Sequence, residues 1–504
     1  MKTRPCPLAP ARPALFCFAG GRLDDLRAPA LTAYIIAVFS CNVKPFFTLI
    51  TNWTGTPEKK LDKKSSVSYN SYSWHLSARQ WTYSEVMDAK QRPERGIDVI
   101  YPAFRALFVF GGAGQGAGQR ERSEERIMNS FSVRTKIMTG GGLETLAPKL
   151  HRVFIVTDGF MSSSGKVSYI TDVLDKAGAE YRIFDQVKAD PDIATVTRGV
   201  DTILEFKPDA VVAFGGGSPI DAAKAIVFFA SKACDMRDCQ FIAVPTTSGT
   251  GSEVSRFAVI TDPEKEVKYP LVEDSLLPDV AILDAVLTAS VPPTVTADTG
   301  IDVFTHAVEA LVSTAANDFS DAAAEKSIKL VRKHLLTAYR EPENMEARQG
   351  MHNASCLAGI AFSNSGLGLN HGMAHALGAR FHIPHGRANG ILLPYVMSFN
   401  AGCAESLTPV AKRYAKIARL LGLESSSVRQ SALNLIRTAR KYVEQFHIPS
   451  SIQAAGVNKE EFEAELDAMA EAALADRCTA TNPKPCTKED ILQVFRKAYI
   501  GKLP

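Results

Sequence analysis

Hydrophobic and polar positions follow two rhythms along this chain. From about Met128 onward, short runs of consecutive apolar residues take turns with stretches whose apolar positions recur every three or four residues. Phe154-Ile155-Val156-Thr157 reads as a buried strand, followed by Tyr181–Val187, Ala210-Val211-Val212-Ala213-Phe214 and Phe241–Pro245. Val167–Ala177, Ile193–Phe206 and Pro219–Ala230 carry helical spacing between them, the first ending near Gly178. A hairpin-like segment around Asp262-Pro263 precedes a last strand, Val280–Leu283. Strand and helix alternating at these lengths imply a parallel sheet with crossover helices. Beyond about Ala289 the strand signals stop, and apolar-periodic stretches such as Asp321–Tyr339 and Ser406–Leu421 run to the end. The pattern predicts an α/β domain over 128–288 and an all-helical domain over 289–504. Residues 1–127 show little periodicity: a Pro-rich start, a Ser/Tyr/Trp stretch from Ser65 to Trp81, and a Gly/Gln/Arg/Glu run from Gly111 to Arg126.

Composition narrows the class. A chain of 504 residues exceeds one ordinary core, and 46% hydrophobic with 22% charged residues is the balance of a globular protein. A net charge of +3 lacks the clustered basic face of a nucleic-acid binder. The longest apolar candidate, Ala28–Cys41, is too short to span a bilayer and is followed by Lys44 and Pro45. The nine cysteines include no Cys-x-x-Cys pair, so free thiols in a reducing cytoplasm are expected rather than a zinc ribbon or redox dithiol.

Two loops after strands carry candidate chemistry. Phe214-Gly215-Gly216-Gly217-Ser218-Pro219-Ile220-Asp221 leads into a helix whose first position is read as Pro219. Glycines let backbone amides approach a phosphate, and a helix N-terminus offers a positive dipole end. A plain tight turn is the alternative for the glycines alone. Pro245-Thr246-Thr247-Ser248-Gly249-Thr250-Gly251-Ser252-Glu253 packs five hydroxyls and two glycines after a neighbouring strand. Two such loops at strand carboxyl ends are where open α/β sheets bind nucleotides, although the usual Gly-x-Gly-x-x-Gly is absent. Asp158, closing the first strand, suits a ribose hydroxyl and would repel a 2′-phosphate; a turn or cap role is the alternative.

Asp302 and His306 lie four apart in a helical stretch and so share one face. His371 and His375 form a second such pair, and His382 and His385 follow closely. Three imidazoles and a carboxylate suit Fe(II) or Zn(II) and leave a position for substrate. Spacing alone leaves the ligand set open and would pair His371 with His375.

The Gly215–Asp221 loop, the Pro245–Glu253 loop, the Gly300–Glu309 helix start and the His371–Gly386 segment together resemble the signatures of iron-containing alcohol dehydrogenases, in order, from about Met128 to the C-terminus. Met128-Asn129-Ser130-Phe131-Ser132, Lys268-Tyr269-Pro270-Leu271 and Met351-His352-Asn353-Ala354-Ser355 resemble the branch containing the propanol dehydrogenase of bacterial 1,2-propanediol utilisation, with the ethanolamine-utilisation alcohol dehydrogenase a close second. The resemblance implies a dinucleotide-binding α/β domain followed by a helical one, the dehydroquinate-synthase-like architecture, with the active site between them. It implies Asp302, His306, His371 and His385 as ligands of Fe(II), or alternatively Zn(II), acting as a Lewis acid on the substrate oxygen. His375 becomes a proton-relay or positioning group. Asp158, Gly215, Gly216, Gly217, Ser218, Asp221, Thr246, Thr247, Ser252 and Lys268 would line an NAD site, and His382 matches no ligand position.

The implied reaction is hydride transfer between NAD(H) and a small alcohol or aldehyde, propanal to 1-propanol first. Ethanol, lactaldehyde, 1,3-propanediol and glycerol are alternatives, as is a zinc-dependent polyol dehydrogenase or dehydroquinate-synthase relative. A scaffold protein that had lost catalysis would show a broken loop or missing ligand, and neither occurs. Cytoplasmic location, a homodimer or higher homo-oligomer, and association with a bacterial microcompartment are further expectations. Residues 1–127 have no counterpart in the family. They are expected to be disordered or translated leader, with Met128 the start, since Ser123-Glu124-Glu125-Arg126 can be written in purine-rich codons; a genuine targeting or docking extension is the alternative.

Overall fold

A computed structural model describes residues 130–263 and 267–503. The expectations for residues 1–127 and for Met128 as a start lie outside the described residues. The strands are β1 (Lys136–Thr139), β2 (Arg152–Asp158), β3 (Glu180–Val187), β4 (Ala210–Gly215), β5 (Gln240–Pro245), β6 (Phe257–Asp262), β7 (Val267–Val272) and β8 (Val280–Leu283). Six of them form one all-parallel sheet in the order β1-β8-β5-β4-β2-β3, while β6 and β7 pair as an antiparallel hairpin. Strand β1 left no apolar run in the sequence because it is a four-residue edge strand with mostly exposed side chains.

Strand β4 is buried at every position, which is why it reads as a continuous apolar run. Chain order places a switch between β2 and β4. The connection from β2 runs outward to β3, and that from β4 runs the other way to β5. Right-handed crossovers in opposite directions put their helices on opposite faces and open a crevice at the strand ends between them. Asp158 and Gly215, the last residues of β2 and β4, flank that crevice.

Helices of ten residues or more are α1 (Ser168–Ala177), α2 (Ile193–Phe206), α3 (Gly217–Ala233), α4 (Pro293–Val312), α5 (Asp318–Arg340), α6 (Met345–Ser365), α7 (Leu369–Phe381), α8 (His385–Ala401), α9 (Val410–Leu420), α10 (Val428–Gln445), α11 (Lys459–Ala475) and α12 (Lys488–Ile500). Helix α1 stops where expected, at Gly178 in the left-handed region (φ 73°). Helix α3 departs from expectation: it begins at Gly217, so Pro219 is its third residue, not its first. The substitution is harmless because the whole first turn lacks intrahelical acceptors for its N–H groups. Helices α4 to α12 enclose one apolar core that includes Phe304, Leu335, Leu369, Phe462 and Phe495. A second core packs Ile170 and Leu174 of α1 on Ile155, Val212 and Phe214 of the sheet.

A buried lysine ties the sheet layer together behind the loops. Lys224 of α3 is fully buried, and its Nζ donates to Ser252 Oγ (2.9 Å) and to the carbonyls of Ser255 and Phe257 (both 2.7 Å). Burial pushes its amino group down to about 8, against the pull of Asp221 and Glu253. Removing one member of such a buried ionic set costs about 3–5 kcal/mol, because the remaining charge is stranded. The network therefore holds the second loop firmly against α3 and β6.

Candidate metal centre and cofactor cradle

Three helices deliver one polar cluster. Asp302 and His306 come from consecutive turns of α4, His371 from the first turn of α7, and His385 from the first residue of α8. One donor atom from each lies within 4.8 Å of all the others. Asp302 Oδ1 is 3.8 Å from His371 Nε2 and 3.6 Å from His385 Nε2. Gly386 is what lets α8 approach so closely. A Cβ there would sit 2.1 Å from the Asp298 carbonyl on α4, so any side chain after His385 would push the two ligand-bearing helices apart.

These residues fit a divalent cation. Asp302, His306 and His371 are at most 4% exposed, whereas the His385 side chain is 41% exposed. The buried Asp302 carboxylate pairs with no lysine or arginine among the described residues; its partners are imidazoles and an amide. Burial lowers the pKa of His306, and burial together with neighbouring imidazoles lowers that of His371. Both are therefore neutral rings with a lone pair to offer. His306 Nδ1 is buried without a hydrogen-bond partner. An uncompensated carboxylate among neutral imidazoles, with Asp302 Oδ1 3.6 and 3.8 Å from two ring nitrogens and all four donors within 4.8 Å, suits bond lengths of about 2.0–2.2 Å around one ion.

A second layer holds the cluster, and the sequence reading missed it. Glu309, one turn beyond His306 on α4, meets His371 Nδ1 and accepts from the Asn370 N–H at the start of α7 (2.8 Å). Such a carboxylate selects the tautomer that leaves His371 Nε2 free to bind an ion. Burial pushes Glu309 up to about 8, so the carboxylate form that selects this tautomer predominates only above that value. Asn389, one turn along α8 from His385, donates from Nδ2 to Asp302 Oδ1 (2.7 Å), with His371 Nε2 and His385 Nε2 each 3.1 Å away. Asn370 fixes that orientation by donating to Asn389 Oδ1 (2.9 Å). Both Glu309 and Asn389 sit at helical spacing from a ligand, the signal that could have found them. We expect Glu309→Ala to weaken cation affinity about 10–100-fold while the helical content stays unchanged, as read by competition with a chelating dye and by circular dichroism.

His375 stands beside the four rather than among them. Its ring stacks on His385 (5.2 Å between centroids), and its Nδ1 meets Asp476 Oδ2 at 2.8 Å. The sequence pairing of His371 with His375 as co-ligands is thus replaced by a pairing with a residue far along the chain. His382 is exposed and ends α7 in the left-handed region (φ 53°). It takes no part in the cluster.

The two loops meet at the crevice. Thr247 Oγ1 lies 3.4 Å from where a Gly216 Cβ would be, and Thr250 fills the space a Gly217 side chain would need. Ser218 is part-buried in the first turn of α3. Asp158 takes the cap role, the alternative reading for it. Its side chain caps the short helix Gly159–Ser163 through Oδ1 and the Met161 N–H (2.9 Å), while Oδ2 faces the Gly215 position. Asp221 and Ser252 are engaged with each other: Ser252 Oγ donates to Asp221 Oδ1 (2.6 Å), and Asp221 Oδ2 accepts from the Val259 N–H (3.0 Å). They brace the loop. Lys268, on β7, pairs with Asp190 (2.6 Å). Thr246 is buried with an unpartnered Oγ1 and lines a cavity of about 410 Å³ with Met161, Lys166, Tyr169, Val286 and Leu287. That volume and its mixed apolar and polar walls suit part of a dinucleotide. Gly249 of the second loop borders His306, so the cradle adjoins the cluster.

Two family models cover most of the described chain. Iron-containing alcohol dehydrogenase matches residues 135–285, and the Fe-containing alcohol dehydrogenase family, C-terminal, matches residues 296–499. The chain is 43% identical over 375 residues to the 1-propanol dehydrogenase PduQ of Salmonella typhimurium, covering 73% of this chain and 100% of that one. It is 39% identical over 363 residues to the NADPH-dependent butanol dehydrogenase of Clostridium saccharobutylicum, covering 69% and 92%. Among solved structures, a 1,3-propanediol oxidoreductase superposes with a TM-score of 0.69 at 34% identity, over 74% of this chain and all of that one. The iron-containing alcohol dehydrogenase of Thermococcus thioreducens superposes with a TM-score of 0.67 at 35% identity, over the same shares. No helix among the described residues is long and apolar enough to cross a membrane. With this fold, this cluster and these likenesses along its matched length, the chain belongs to the iron-containing alcohol dehydrogenase family.

Proposed function

We propose that the chain interconverts a small primary alcohol and its aldehyde with NAD(H), propanal and 1-propanol being the first pair. Asp302, His306, His371 and His385 hold a divalent cation, Fe(II) or alternatively Zn(II). The observation that carries this reading is the convergence of those four donor atoms from three helices within 4.8 Å, beside the loop that cradles the dinucleotide. When bound, the cation supplies Lewis-acid polarisation of the substrate oxygen, and the dinucleotide gives or takes the hydride.

The protein's part is placement. The Gly215–Ser218 amides and the α3 N-terminus receive the pyrophosphate, with Thr247 facing it. Thr246 and the cavity it lines take the adenosine end. Asp158 Oδ2 accepts from a ribose hydroxyl and disfavours a 2′-phosphate. Asp221, Ser252 and Lys268 act at one remove, keeping the loop and hairpin in place. His375 carries the substrate proton toward solvent: Asp476 holds Nδ1–H, which leaves Nε2 free to accept. We read 128–288 and 289–504 as two domains with the reaction at their junction. The resemblance to propanediol-utilisation enzymes supports a cytoplasmic homodimer or higher homo-oligomer and association with a bacterial microcompartment.

The test uses the full chain, loaded anaerobically with Fe(II) or Zn(II): oxidation of NADH and NADPH with two- to five-carbon aldehydes and lactaldehyde, and reduction of NAD and NADP with 1-propanol, glycerol and 1,3-propanediol. Propanal with NADH is expected to have the highest kcat/KM. A higher value for 1,3-propanediol or glycerol would move the assignment within the family. No rate above a cation-free control with any substrate would overturn it.

A further inference from the structure

Beside the four-residue cluster, a second group of unlike donors comes together. His375, Asp476 and Cys478 each offer a donor atom within 4.8 Å of the others, and His375 Nδ1 lies 2.8 Å from Asp476 Oδ2. Asp476 is the C-cap of α11, and Cys478 follows it by two residues, so the carboxylate and the thiol lie on one tight turn. That turn is already fixed, because the Cys478 N–H donates to Asp476 Oδ1 (2.8 Å). His375 arrives from α7, with its side chain 33% exposed, and Asp476 is 20% exposed. All three donors are thus part-exposed, and the turn that carries two of them is preformed. Burial, and then the Asp476 and Glu309 carboxylates, push the Cys478 thiol well above its ordinary range, with Arg477 opposing them, so a cation must displace the thiol proton to bind there.

We propose that His375, Asp476 and Cys478 form a second cation site, selective for thiophilic divalent ions such as Zn²⁺ and Cd²⁺, whose occupation inhibits the enzyme. A thiolate, an imidazole and a carboxylate are a soft-to-borderline set, unlike the nitrogen and oxygen donors of the first cluster. Three protein donors leave a fourth position of a tetrahedral zinc site open. Bonds of about 2.0–2.3 Å need donor separations somewhat shorter than 4.8 Å, a closure that a turn and one rotatable imidazole can make.

Binding has a defined proton balance. The cation takes the thiol sulfur as thiolate and releases that proton to solvent. It takes the place of the proton between His375 Nδ1 and Asp476, and the imidazole proton moves to Nε2, keeping the ring neutral. A ring bound at Nδ1 and protonated at Nε2 has no lone pair left to accept a substrate proton. Inhibition therefore rests on the relay role of His375 proposed above, whereas binding does not, and the two are read separately.

The experiment titrates Cd²⁺ into the full-chain enzyme already loaded at the first site. It follows the ultraviolet thiolate-to-cadmium charge-transfer absorption and, in parallel, turnover. The expected result is one saturating absorption step that tracks loss of turnover. Cys478→Ser should keep its turnover without Cd²⁺, lose the absorption step, and need at least about tenfold more Cd²⁺ for the same inhibition. Asp476→Asn, which leaves the thiol in place, should shift the absorption step to higher Cd²⁺. Cadmium displacing the first cation would give inhibition without the thiolate band, because that cluster has no sulfur. An absorption step that survives unchanged in Cys478→Ser, or no step in the wild type, overturns the proposal. A normal step with no loss of turnover overturns the inhibitory role and the relay assignment while leaving the site.

Discussion

His306→Ala is expected to be purified with little or no bound iron or zinc and to turn over at least about a thousandfold more slowly than the parent, since Lewis-acid stabilisation contributes several kcal/mol and each 1.36 kcal/mol is tenfold in rate. The ring lies 4% exposed, stacked on His371 at 4.6 Å and on Phe362 at 4.7 Å. Its removal takes one of four donors from the buried cluster around Asp302. Metal analysis of the purified protein, with turnover before and after Fe(II) addition, checks this. The protein should still fold, because the apolar core around α4 does not depend on that ring. A cation-free His306→Ala enzyme with full turnover would remove the basis of the mechanism. His371→Ala should behave alike, with Glu309 then keeping the Asn370 N–H but not the imidazole.

The second large effect is expected at the cradle. In Gly217→Val, the new Cβ would lie 2.7 Å from Thr250 Cγ2 and 3.3 Å from its Cβ, so the two loops must separate before any further atoms are placed. That movement displaces the amides and hydroxyls offered to the pyrophosphate. We expect KM for NAD to rise about 10–100-fold, about 1.4–2.8 kcal/mol of binding, with cation content unchanged. The split between the two readouts is informative, because a globally damaged fold would lose both. Steady-state kinetics at varied NAD, with metal content measured on the same sample, decides it. An unchanged KM would show that the dinucleotide does not use this loop.

Local signals served the sheet well. Helix α2 was legible to the residue, because Ile193, Val196, Val200, Ile203 and Phe206 mark one buried face and Asp192 caps it. The buried strands β2, β4 and β5 announced themselves as apolar runs. Edge strand β1 did not, since exposure on an edge removes the pattern on which such reading depends. At the site, residues four apart on a helix could be grouped, hence Asp302 with His306, but the same rule would pair His371 with His375, and spacing alone left the ligand set open. Both rings do lie on one helical turn. What separates them is their partners: Glu309 aligns His371 with the first cluster, and Asp476 draws His375 to the second.

The division follows from how information is carried along a chain. Periodicity, Gly-rich turns and ligand chemistry are properties of short windows, so element types, the two loops and the cluster's donor types were determined by sequence alone. Which donors share one point, which face of Asp158 caps a helix and which looks into the crevice, and the bracing of Asp221 by Ser252 were decided only by tertiary structure. Those outcomes depend on helices α4, α7, α8 and α11 packing together across gaps of up to about a hundred residues, as between His375 and Asp476. Close packing sets their distances, and no local pattern records it.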